Sequence, residues 1–90
     1  MKKGIITVVG KDTVGIMAKT CTYLADHNIN ILDISQSVVE DYFNMMMIVD
    51  LTENMETIGD HVDSLATIGE AIGVQIKLQL EDIFNAMHRI

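Results

Sequence analysis

Twice within 90 residues the spacing of apolar side chains switches from every second residue to every third or fourth and back again. Few folds can absorb that rhythm. Lys3–Val9 reads as a strand, with Ile5, Ile6, Val8 and Val9 set between Gly4 and Gly10. Val14, Met17, Ala18, Cys21, Leu24 and Ala25 then recur at helical spacing and predict a helix from about Thr13 to His27, stopped by Asn28. Ile29–Val39 is β-branched, with polar Asp33, Ser35 and Ser37 on alternate positions, and forms the second strand. A reversal near Glu40 and Asp41, made without glycine, leads to a third strand in which Phe43, Met45, Met47, Val49 and Leu51 alternate with their neighbours. Ile58, Val62, Leu65, Ile68 and Ile72 mark a second helix over about Met55–Ile72, and Gly73 stands where a left-handed C-cap belongs. Val74, Ile76, Leu78 and Leu80 alternate as a fourth strand; Ile83, Phe84, Met87 and Ile90 make a short helical stripe that must dock to be stable.

The order β-α-β-β-α-β, folded with right-handed crossovers, predicts an α+β ferredoxin-like sandwich. It has a four-stranded antiparallel sheet, two helices on one face, and a short C-terminal helix. Strands one and three are then central, strands two and four are the edges, and the face away from the helices is uncovered. The chain contains no proline and no linker-like stretch, so one domain is expected over 1–90, with 81–90 as a C-terminal helical extension. A body this small buries only about two-thirds of its unfolded surface. Apolar residues nonetheless make up 49% of it, so a second copy is the expected partner and the chain is expected to be a homodimer or larger. Edge-to-edge pairing of strand two is the sharper expectation, because Asp33, Ser35, Gln36 and Ser37 protect that edge only weakly. Face-to-face stacking through Met46 and Ile48 is the other.

Charge narrows the possible partners. Six Lys and Arg against thirteen Asp and Glu leave a net charge of −7, which repels nucleic-acid phosphates and anionic membranes. Aromatics are 4% with no Trp, so there is no platform for stacking bases. The longest strongly apolar run, Met45–Val49, falls far below the ~20 residues of a membrane-spanning helix. Cys21 is the single cysteine and cannot form an internal disulfide, which fits a reducing cytoplasm. On the helical stripe it reads as core filler. His27, His61 and His88 are scattered over three elements, and Met45, Met46 and Met47 point to alternating faces of a strand, so no metal site and no cofactor is expected.

Chemistry concentrates in the first strand-to-helix turn, Gly10-Lys11-Asp12-Thr13-Val14-Gly15, with glycines at both ends and a carboxylate between. Glycine permits close backbone approach, and a helix start offers unpaired N–H groups with partial positive charge, so a carboxylate-sized anion would be held there. Asp12 or Thr13 acting simply as the helix cap, worth ~1 kcal/mol, is the plainer reading, and the two are compatible.

This turn, the stretch Leu24-Ala25-Asp26-His27-Asn28-Ile29-Asn30-Ile31 and the segment Phe43-Asn44-Met45-Met46 together resemble the ACT domain family, over essentially the whole chain. The family comprises small regulatory modules attached to many enzymes of amino-acid metabolism. Within it, Asn30-Ile31-Leu32-Asp33-Ile34 and Asp41-Tyr42-Phe43-Asn44-Met45 are most similar to the stand-alone ACT proteins and the ACT repeats of the glycine cleavage system transcriptional repressor. The resemblance implies that a small effector, often an amino acid, binds between the first turn of one subunit and strand two of its neighbour. Gly10, Lys11, Asp12, Thr13, Val14 and Gly15 match the turn side, and Asn30 matches the position that reaches across. Val14 stands where the family often has Pro.

A zwitterion is net neutral, so the charge of −7 does not exclude it. Helix N–H groups would take its carboxylate, and Asp12 or the Asn30 amide oxygen would accept from its ammonium. The expected role is therefore non-catalytic: sensing a metabolite at a dimer interface and modulating a partner protein. A ligand-free oligomerisation or adaptor module is the alternative. An acylphosphatase-like hydrolase fits least, because that chemistry wants an arginine in the first turn and the only arginine is Arg89.

Overall fold

In the computed structural model, which describes residues 1–11 and 15–87, β1 (Lys3–Lys11) lies between β3 (Tyr42–Asp50) and β4 (Val74–Leu80), and β2 (Asn30–Val39) flanks β3. All three pairings are antiparallel, in the order β2-β3-β1-β4. Two helices, α1 (Ile16–Asp26) and α2 (Ile58–Ile72), cross between strands, and α3 (Glu81–Met87) follows β4 directly. This is the ferredoxin-like sandwich, with strands one and three central as expected.

Alternation dictates the core. Ile6 and Val8 of β1, Met45, Met47 and Val49 of β3, and Ile76 and Leu78 of β4 point to one face and are buried there against Ile16 and Leu24 of α1 and Leu65 of α2. Thr20, buried in α1, satisfies its hydroxyl by donating to the Ile16 carbonyl at 2.8 Å. Gly73 adopts φ 80° and caps α2, as its position predicts. Glu40, with φ 57°, supplies the left-handed residue that the glycine-free hairpin needs.

Three expectations require correction. β1 continues past Val9 to Lys11, because Gly10 pairs with both Phe43 and Val74 instead of ending the strand. α1 begins at Ile16, not near Thr13, and its N-cap is Gly15 in place of Asp12 or Thr13. The sheet face away from α1 and α2 is not fully open: Ile5 belongs to it yet is only 5% exposed, and α3 packs against β1 and β4. Met46, nearer the middle of that face, remains 40% exposed.

The edges differ. β4 is covered by α2, whereas β2 has no buried residue along its ten positions. Ile34 and Val38 pair with buried Met47 and Phe43 and so face the helix side, yet they are 42% and 55% exposed. α1 touches β2 but leaves these two side chains open. A bulge between Ile31 and Asp33 interrupts the pairing of β2 with β3.

Candidate functional site at the two ends of the sheet

The residues singled out by sequence fall into two groups at opposite ends of the protomer. At one end, Gly10 and Lys11 close β1 beside Phe43 and Tyr42, and Val39 of β2 reaches the same level. Gly15 opens α1 there with φ 93°, a conformation that side chains resist, and nothing within 4 Å would meet a Cβ on it. The first turn of α1 holds no acid, and its N-cap, Gly15, has no side chain with which to bond the first amides. Gly10 has another reason to be small: a Cβ would lie 2.8 Å from Cγ1 of Val74, so the close approach it permits is to a neighbouring strand. Asp12, Thr13 and Val14 lie outside the described residues.

At the other end, Asn30 begins β2, pairs with Asp50, and lines an open cavity of about 460 Å³ with Met1, Asn28, Asp50, Thr52, Glu53 and Asn54. Asn28 turns the chain out of α1 with φ 57°. The Asp50 carboxylate accepts from the Thr52 hydroxyl at 2.6 Å and the Thr52 N–H at 2.9 Å. Those two bonds, the hydroxyl first, hold its carboxyl below the ordinary value of 3.8. The sequence offered a signal for this wall, the polar run Asp50-Leu51-Thr52-Glu53-Asn54, but as a break between elements it did not announce that Asn30 would stand beside it.

A family model described as ACT domain matches residues 4–79. The chain belongs to the ACT domain family. The family is one of regulatory ligand-binding modules, and relatives of the same size occur in it. A UPF0237 protein of Bifidobacterium longum is 57% identical over 90 residues, covering 100% of both chains. The solved structure of an ACT domain protein from Streptococcus pneumoniae is 38% identical, superposes with a TM-score of 0.81, and covers 97% of this chain and 98% of its own. A protein described as a glycine cleavage system transcriptional repressor shares the fold at 19% identity, with a TM-score of 0.73 over 88% of this chain and 45% of that one.

Within one protomer this ACT domain does not bring Asn30 and the first turn together. Nine steps of strand, roughly 30 Å, run between Asn30 and Val39 at the turn end. A third feature was not anticipated by sequence. His27 and His61, read as scattered, are brought within 5.2 Å by the packing of α1 on α2, with Tyr23 beside both. Among the described residues no group of three or more His, Cys, Asp or Glu could hold a metal ion. A shallow groove of about 480 Å³ between the helices involves none of the binding residues expected from sequence. No described helix is long and apolar enough to cross a membrane.

Proposed function

We propose that this ACT domain is a non-catalytic cytoplasmic sensor, in which two copies pair edge to edge through β2 and hold a small effector, an amino acid by preference, at the shared boundary. Residues 1–90 act as one unit, with 81–90 as its extension. The observation that carries the reading is the state of β2: ten residues with none buried, and with Ile34 and Val38 bare on the very side where α1 should cover them. A strand left so unprotected invites pairing with its copy.

Antiparallel self-pairing also resolves the separation of the two groups. It carries the partner's Asn30 to the Val39 end, where Gly10, Lys11 and Gly15 lie; Asp12, Thr13 and Val14 are assigned to the same site by sequence. The amides of α1 then meet the effector's carboxylate, while the partner's Asn30 amide oxygen accepts from its ammonium. Because two chains wall the site, occupancy favours one dimer geometry, and a larger protein that reads this geometry is modulated.

A ligand-free adaptor is the second reading, favoured by one observation: contact with Val74 explains Gly10 without any ligand. Thermal melts against the twenty amino acids separate the two. An effector at about a hundredfold excess over its Kd raises stability by ~2.7 kcal/mol. Asn30→Ala should abolish that gain while leaving the unliganded melt unchanged. A full gain in Asn30→Ala removes Asn30 from the site, and no gain with any amino acid leaves the adaptor.

A further inference from the structure

Where α1 ends against α2, three side chains, Tyr23, His61 and Thr57, form a continuous polar chain. His61 of α2 is 4% exposed, and both ring nitrogens are engaged: Nδ1 lies 2.7 Å from the Tyr23 hydroxyl and Nε2 3.0 Å from the Thr57 hydroxyl. Thr57 donates to the Asn54 carbonyl at 3.4 Å, and a carbonyl can only accept. Nε2–H therefore donates to Thr57, and in the neutral ring Nδ1 accepts from the Tyr23 O–H. His27, at the exposed end of α1, donates from Nδ1 to the Tyr23 carbonyl at 2.8 Å and stacks on the Tyr23 ring at 4.1 Å.

We propose that the Tyr23–His61 contact is a pH-sensitive latch that fastens the end of α1 to α2 near neutral pH and releases it on mild acidification. A proton on Nδ1 reverses that bond, so that the ring N–H must donate to the Tyr23 oxygen, and it places a cation in a buried position. The His27 ring, its centroid 5.2 Å away, disfavours a cation on His61, while Asp60 on α2 favours one and Tyr23 and Thr57 carry no charge. Burial first, and His27 second, hold the His61 ring below its ordinary value of 6.5, in keeping with the geometry.

Release matters because α1 leads straight into β2. The Ile29 N–H donates to the Leu24 carbonyl at 2.9 Å, so a loosened last turn frees the lead into Asn30. The latch itself needs neither the effector nor the dimer, and its failure would leave the sensor reading intact.

Amide hydrogen exchange on the intact chain tests it, corrected for the intrinsic pH dependence of exchange. Between about pH 7.5 and about pH 5, which brackets the ordinary histidine value, amides of residues 24–30 should lose protection while those of β1 and β3 keep theirs. In His61→Gln, which is neutral at both pH values, the loss should vanish. Equal protection of residues 24–30 at both pH values in the unmodified chain, or an unchanged loss in His61→Gln, overturns the latch. Should His61→Gln fail to fold, Tyr23→Phe decides. It should show low protection already at the higher pH and little further change, and a full pH-dependent loss in Tyr23→Phe refutes the contact as the switch.

Discussion

Gly10 and Val74 stand opposite each other in the β1–β4 ladder so closely that a methyl group on Gly10 would fall 2.8 Å from Cγ1 and 2.9 Å from Cβ of Val74. The neighbouring valine is β-branched and stiff, so it cannot swing aside. Gly10→Ala should therefore destabilise the fold by roughly 1–3 kcal/mol, the usual cost of overpacking. Gly15→Ala meets nothing in space and should lose only about 1 kcal/mol, through its positive φ. Urea unfolding of the two variants measures both; equal losses would mean that Gly10 is not held by this contact.

The bare flank of β2 makes a second expectation. Ile34→Lys with Val38→Lys should leave the protomer folded, since both side chains are well exposed within it. If that flank is a subunit interface, each lysine buries an unpaired charge there, at a cost of several kcal/mol. Sedimentation at micromolar concentration should then show a monomer with an unchanged circular dichroism spectrum. A persistent dimer places the interface elsewhere.

Cys21 offers an independent ruler. It sits midway along α1, two residues and so about 200° of helix rotation before Tyr23, which faces α2. The half-buried thiol therefore lies on the flank toward β2. Antiparallel pairing of two β2 strands brings the two copies of α1 side by side with their midpoints level. A short bis-maleimide should link Cys21 to its own copy, giving a dimer band that Cys21→Ser and the double lysine variant both lack. Linking that survives the double lysine variant counts against this geometry.

Stability should fall in two steps on acidification. His61 is depressed below 6.5 in the folded state, so the unfolded chain binds the proton first. The stability it contributes is complete above 6.5 and is lost as pH falls from there through its folded value. Asp50, held below 3.8, gives a second loss that begins only near that pH. Urea midpoints across the acid range should show the upper step vanish in His61→Gln and the lower one shrink in Asp50→Asn. A midpoint that stays flat from pH 7 to pH 5 (about two units around the ordinary histidine value) contradicts the assignment of His61.

The element order, the central and edge strands, the Gly73 cap and the family were legible in the sequence, because hydrophobic period and turn chemistry are local and need only neighbouring residues. The Gly10 boundary was misread for a matching reason. A glycine marks either a strand's end or a close approach, and only Val74, more than sixty residues away, tells which. The cover over Ile5 and the closing of Tyr23, His27 and His61 into one cluster are likewise decided by packing: the α1–α2 contact joins residues 38 positions apart, and no period along the chain encodes which side chains two crossing helices will turn toward each other.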